Sequence, residues 1–327
     1  MKTIVKISLL MMTLGLTIYG LKVKFLDAHP SETLAVHLVI PIEHQALNDI
    51  VAGFEETLSA QLPGKVSYKV HNAQGDANLQ RSIFQQLAQE KAALVVPVTT
   101  TTTQLALKLI KDKPILSLAA MYREADRTGH QITGVLDEIE PTQFVSFLKA
   151  IHTDSSRVVV IYSADDRRVK EATELEGLLK AQQIPVKRLM IQTLNDLYTI
   201  SHSLPQDTGS VVMFKDNLVA SGVTVLKKVC DDKKILLITS DEGTIKKGAS
   251  LGFGVTEKDI GIEGGKLAVK ILTGTPIQTI PIQHLSDLKI FVNVQFLEKN
   301  ETLKPLLEKI STQHHYRLVL IQTETSK

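Results

Sequence analysis

From Arg157 onward the chain alternates between two kinds of stretch. RVVVIYS, IPVKRLMIQ, SVVMFKD, KILLITSD and SLGFGV are short apolar runs rich in β-branched residues. Between them, DDRRVKEATELEGLLKAQQ, LNDLYTISHSLP and SGVTVLKKVCDD carry their apolar residues at helical spacing. A short apolar run without polar alternation reads as a strand covered on both faces, which requires helices on either side of a parallel sheet. Each strand ends in a polar cluster: Ser163-Ala164-Asp165-Asp166, Lys215-Asp216-Asn217 and Thr239-Ser240-Asp241-Glu242. These clusters fall at the carboxyl ends of the strands, where open α/β sheets bind ligands.

The first half repeats the scheme. AVHLVIPI reads as a strand ending at Glu43 and His44, and HQALNDIVAGFEETLSAQ as an amphipathic helix. VSYKVHN, AALVVPV, PILSLA and HQITGV read as further strands, with helices over NLQRSIFQQLAQEK and QLALKLIKDK. The run Thr99–Thr103 is expected to end a strand and cap the next helix. The expected architecture is α/β, with two Rossmann-like lobes joined by a multi-strand hinge. Residues 31–138 plus 256–285 form the first lobe, and 139–255 plus 286–327 the second. TIPIQHL and LKIFVN are expected to be strands returning between lobes, LEKNETLKPLLEKI a late helix, and YRLVLIQ a terminal strand or tail. The expected hinge segments are 138–141, 254–257 and 280–288.

With 327 residues there is room for two such lobes, and 37 basic against 35 acidic residues give no broad basic field to suit nucleic acid. A single cysteine, Cys230, excludes an intrachain disulfide and reads as a small buried hydrophobe. Lys2 and Lys6 precede an uncharged stretch from Ile7 to Leu21, so residues 1–30 read as an export signal or an uncleaved membrane anchor. No cysteine follows that stretch, so a lipoprotein is not expected. Gly252-Phe253-Gly254 lacks the third glycine of a dinucleotide fingerprint, because Glu257 stands there. His314-His315 has no thiolate or carboxylate cluster beside it, so no metal is expected. No nucleophile or acid–base constellation emerges, and neither enzyme activity nor a cofactor is expected.

The remaining candidates suit a small zwitterion. Thr99, Thr100 and Thr101 stand at a helix N-terminus, which presents free N–H groups to a carboxylate. Asp216 and Asp241 end adjacent strands; each either caps its helix or holds an ammonium. Asn217 and Ser240 add neutral hydrogen-bonding groups, while Tyr122, Tyr162 and Phe214 lie where they either face a ligand side chain or belong to the core. The absence of tryptophan and the scarcity of cleft amides weigh against a sugar.

Several segments in shared order carry a resemblance: Ile42-Glu43-His44-Gln45-Ala46-Leu47, Asn72-Ala73-Gln74-Gly75-Asp76, Ile132-Thr133-Gly134-Val135, Asp216-Asn217, Ser240-Asp241, Lys247-Gly248-Ala249, Leu251-Gly252-Phe253-Gly254 and Gly265-Lys266-Leu267-Ala268. From about Val36 to Asn300 the chain resembles the substrate-binding proteins of ABC importers of the tryptophan-binding type, in the class I periplasmic-binding-protein fold. It departs from them at Leu118–Arg123, and at Tyr162-Ser163-Ala164-Asp165-Asp166, both facing the expected cleft. The resemblance implies an exported, monomeric solute-binding protein that closes on a small molecule and delivers it to an ABC permease. It also implies that Glu43, His44 and Ser163 line the cleft, and that the solute is an amino acid; the family's known ligands include aromatic ones. The alternative is a membrane-anchored ligand-sensing ectodomain of the same fold.

Overall fold

The structure, a computed structural model, describes residues 33–121, 127–137, 139–152 and 156–323. The expected export signal or anchor over 1–30 and the candidate Tyr122 lie outside the described residues. Among the described residues no helix is long and apolar enough to cross a membrane.

The first sheet contains β1 (Leu34–Ile40), β2 (Val66–Asn72), β3 (Leu94–Pro97), β4 (Ile115–Leu118) and β5 (Ile132–Val135), in the order β2-β1-β3-β4-β5. Every pairing in it is parallel. The intervening helices are α1 (Gln45–Gln61), α2 (Ala77–Gln89) and α3 (Thr100–Leu109). Side chains that alternate along β1 go to opposite faces. Val36, Leu38 and Ile40 pack with Ile50, Phe54 and Leu58, whereas Val39 packs with Phe84 and Leu87. This double burial is what the apolar runs called for.

The second sheet has β6 (Arg157–Ser163), β7 (Val186–Ile191), β8 (Thr208–Met213), β9 (Leu236–Thr239), β10 (Leu251–Gly254), β11 (Lys289–Asn293) and β12 (Arg317–Ile321), ordered β12-β11-β10-β9-β8-β6-β7. Its pairings are parallel except β10 with β11. The helices are α4 (Pro141–Ile151), α5 (Asp166–Ala181), α6 (Leu194–His202), α7 (Asn217–Ser221), α8 (Val223–Lys233), α9 (Glu242–Lys246), α10 (Glu257–Leu272), α11 (Val294–Lys299) and α12 (Lys304–His314). Cys230 is buried beside Val229 and Leu226, and burial pushes its thiol up to about 12, as expected of an inert core residue.

Helix α10 leaves the second sheet at Gly254 and packs against α1 of the first lobe. The two backbones approach so closely that a side chain at the contact has no space. A Cβ on Gly261 would overlap the Ile50 carbonyl oxygen and lie 2.8 Å from the Phe54 nitrogen, and one on Gly265 would lie 2.6 Å from Thr57 Cβ. The glycines of GIEGG thus join the chain's return from the second sheet to the first lobe.

Three local expectations are corrected. TIPIQHL is not a strand: Pro276 precedes a 3₁₀ turn over Ile277–Thr279, and a single bridge joins Gln283 to Val135. Pro276 and Pro281 offer no N–H to a ladder, which leaves only two backbone bonds to the first sheet, Gln283 N–H to the Gly134 carbonyl and Leu136 N–H to the Gln283 carbonyl. LKIFVN is no return between lobes but β11, paired inside the second sheet. The late helix is split into α11 and α12 by a 3₁₀ turn at Glu301–Leu303.

Candidate functional site

A cavity of about 220 Å³ opens at the carboxyl ends of strands from both sheets. The first lobe contributes Met121 beyond β4 and Asp137 beyond β5, with Ile139 at the start of the second lobe beside them. The second contributes Phe144 from α4, Arg167 and Arg168 from α5, and Phe214, Lys215, Ser240 and Val255 beyond β8, β9 and β10. His284 comes from the Pro-flanked crossing. A larger hollow of about 460 Å³ near Cys230, Asn293 and Phe296 is lined by elements of the second lobe alone.

The cavity wall has an apolar and a charged part. Phe144 is fully buried, with Phe214 at 5.5 Å and Phe253 at 6.1 Å between ring centroids. Phe147 stacks on Phe253 behind them at 4.5 Å, so the aromatic wall is backed by a packed core. Across from it, Lys215 Nζ lies 2.7 Å from Glu257 Oε1, at the start of α10, and 3.9 Å from Asp137 Oδ2. Arg167 Nη2 lies 3.8 Å from Asp137 Oδ1, while its Nε is 3.3 Å from Glu171. Arg168 also pairs with Glu171. The pairs made by Asp137 join the two lobes.

Burial disfavours the Lys215 ammonium, but the facing carboxylates of Glu257, Asp137 and Asp241 outweigh it and hold its pKa above the usual lysine value. Burial pushes the Glu257 carboxyl up, against the pull of Lys215, and Asp137 and Asp241 add to the rise. Asp137 differs from its neighbours: Oδ1 is buried and has no hydrogen-bond donor. Of the two such side-chain atoms among the described residues, it alone belongs to a residue lining this cavity.

Ser240 lines the cavity directly. Asp216 is buried, and both its oxygens are taken: Oδ1 accepts from the Leu218 and Val219 N–H groups and Oδ2 from the Ser163 N–H at 2.7 Å, tying the end of β6 to α7. Asn217 is exposed in the first turn of α7. Asp241 caps α9 by accepting from the Thr244 N–H, and its other oxygen accepts from the Thr239 and Thr244 hydroxyls. Both aspartates therefore spend their oxygens on the fold around the strand ends. Thr99 occupies the N-cap position of α3 but makes no capping bond; its φ is +84°, and its hydroxyl lies 3.1 Å from that of Thr102. The Thr100 hydroxyl accepts from the Met121 N–H at 3.0 Å, and Thr101 is exposed. His44 caps α1 next to Glu43; both are exposed.

Phe214 does line the cavity, whereas Tyr162 is buried in the second-lobe core. Asp137, Arg167 and Lys215 were not picked out from sequence. Lys215 was visible in a strand-end cluster, and Asp137 follows the ITGV strand by two residues, as Asp241 follows its own strand and Asp216 follows by three.

A family model described as ABC transporter substrate binding protein matches residues 35–313. An uncharacterized protein of Rickettsia prowazekii (strain Madrid E) is 33% identical over 268 residues, covering 82% of this chain and 86% of the relative. A tyrosine-binding protein of Clostridioides difficile (strain R20291) is 24% identical over 282 residues, covering 83% of this chain and 80% of its own length. The ligand-free, open structure of a substrate-binding protein with adhesive properties from Clostridium difficile superposes with a TM-score of 0.77 at 25% identity, over 89% of this chain and 100% of the other.

Proposed function

Since the chain belongs to the ABC transporter substrate-binding protein family, a family of binding proteins and not of enzymes, we propose that it is the extracytoplasmic receptor for a small zwitterion, an amino acid with an aromatic or apolar side chain. The observation that carries this reading is the cavity's composition. Phe144, Phe214, Ile139 and Val255 offer an apolar wall, while Asp137 faces Arg167 and Lys215 across the line between the lobes. An amino acid needs such a wall for its side chain and both signs of charge for its backbone groups. The tyrosine-binding relative supports the aromatic class.

Function then follows from differential affinity. The solute touches residues of both lobes at once only when the cleft is closed, so binding shifts an open–closed equilibrium toward the closed form by the difference in its affinity for the two. The lobes are residues 31–138 plus 256–285 and 139–255 plus 286–327, turning about 138–141, 254–257 and 280–288. The closed form is the one an ABC permease reads, and the receptor works as an exported monomer.

A thermal-shift panel of amino acids, sugars, polyamines and oxyanions tests the reading. Ligand at about 1,000 times its Kd stabilises the folded chain by roughly 4 kcal/mol, a rise in Tm on the order of ten degrees for lobes of this size. A clear shift with a sugar and none with any amino acid sinks it.

A further inference from the structure

The unpartnered oxygen of Asp137 calls for an explanation, because a buried carboxylate oxygen without a donor costs free energy that native structures rarely leave uncompensated. Its Oδ1 is buried and accepts no hydrogen bond, although it lines a cavity with cations on the far side. Those cations, Arg167 Nη2 at 3.8 Å and Lys215 Nζ at 3.9 Å, stand beyond hydrogen-bond length. Each already has a closer carboxylate, Glu171 at 3.3 Å for Arg167 and Glu257 at 2.7 Å for Lys215. Asp137 therefore faces a positive wall without being bonded to it.

We propose that Asp137 is the specificity-determining residue for the ligand ammonium, and that the ligand enters by insertion into these long ion pairs. The ammonium sits on Asp137, and the ligand carboxylate takes the place of Asp137 opposite Arg167 and Lys215. The inference rests on the amino-acid reading above and deepens it. It explains why a zwitterion is required. A ligand with only an amine neutralises Asp137 but brings no carboxylate to Arg167 and Lys215 in its place, and a ligand with only a carboxylate leaves Asp137 without a donor and repels it. It also makes the ligand the bridge between lobes, since Asp137 follows β5 of the first sheet while Arg167 and Lys215 belong to the second lobe.

Asp216 and Asp241, the carboxylates suggested by the strand ends, are poorer receptors for this ammonium, because all four of their oxygens are already engaged with N–H groups or hydroxyls. An ammonium binding there would have to compete with those bonds.

The test is calorimetric titration of the full chain with L-tyrosine, its decarboxylated analogue tyramine and its deaminated analogue 3-(4-hydroxyphenyl)propionate. Wild type should prefer tyrosine to either analogue by about 30-fold or more, the loss expected when a buried charge loses its partner. Asp137→Asn should lose about 30-fold or more for tyrosine and less than about threefold for the deaminated analogue. Lys215→Gln should give the mirror pattern, weakening tyrosine and the deaminated analogue while sparing tyramine, and this variant decides the matter if Asp137→Asn folds poorly. Wild-type binding of tyrosine with Asp137→Asn unaffected, or with equal losses for tyrosine and the deaminated analogue, overturns the role of Asp137 and leaves the amino-acid reading standing. No wild-type binding of tyrosine or of any amino acid in the thermal-shift panel overturns both.

Discussion

The hinge side and the cleft side of the molecule both join the lobes, and they do so by opposite means. On the hinge side, the buried Lys289 of β11 pairs with Asp259 in the first turn of α10, a helix seated within the first lobe with its glycines against the backbone of α1. Asp259 also closes a capping box with Thr256. On the cleft side, Asp137 meets Arg167 and Lys215 only at 3.8 and 3.9 Å. A buried, hydrogen-bonded ion pair is costly to part, whereas a loose charge pair in a solvent-reachable cleft gives up little. On the proposed closure, the first is the side that holds and the second the side that opens.

The largest expected effect comes from unseating the helix that carries the tight side. Gly261→Ala places a methyl where the Ile50 carbonyl oxygen already is, so the helices must separate; a loss of about 3 kcal/mol in denaturant unfolding is expected. A neutral result would show that α10 does not need its close seat.

Next is the buried pair. Burial works against the charge of Asp259, but hydrogen bonds from Lys289 and Thr256 outweigh it and hold the carboxyl below its ordinary range. The stability it contributes is present above the unfolded carboxyl value of about 4 and is lost as pH falls through the lower folded value. Asp259→Asn should cost about 2–3 kcal/mol at pH 7, because Lys289 keeps only Asp287 at 3.5 Å. It should also flatten the acid limb of a Tm-against-pH curve. The Glu257 carboxyl, raised in the folded chain, runs the other way: its contribution is present at low pH and lost as pH rises through its folded value.

Loosening the cleft side should cost far less. Lys215→Gln leaves Glu257 and Asp137 facing each other, yet the site is partly solvent-exposed, and about 1 kcal/mol or less in stability is expected. A loss as large as that of Asp259→Asn would erase the distinction between the sides. Smallest, and of opposite sign, is the control Gly177→Ala in α5, where nothing lies within 4 Å of a new Cβ. Helix propensity alone should raise stability by about 0.5–1 kcal/mol, showing that the cost at Gly261 comes from contact and not from glycine as such.

Most of this fold is legible in the sequence because burial on both faces leaves an unmistakable apolar run. RVVVIYS matches β6 residue for residue; VSYKVHN matches β2 as closely, but as an edge strand that is mostly exposed, legible from its β-prone residues instead of from burial. What was misread lay where local pattern and tertiary pairing part. TIPIQHL looks β-prone, but its proline and the one that precedes the 3₁₀ turn leading into it deny it a ladder, and LKIFVN finds its partner antiparallel in its own lobe. The site was less legible for a related reason. An aspartate after a strand looks the same in sequence whether it caps a helix, as Asp216 and Asp241 do, or stands with an oxygen unspent, as Asp137 does. Only the positions of neighbouring N–H groups tell them apart. Lys215 and Glu257, far apart in the chain, become partners only once α10 has crossed to the first lobe.

The central claim, that a solute closes the cleft side about the hinge side, is tested most directly by small-angle scattering of the protein with and without saturating amino acid, chosen from the panel by its thermal shift. A smaller radius of gyration with ligand is the predicted result. An unchanged radius at saturation would contradict the account.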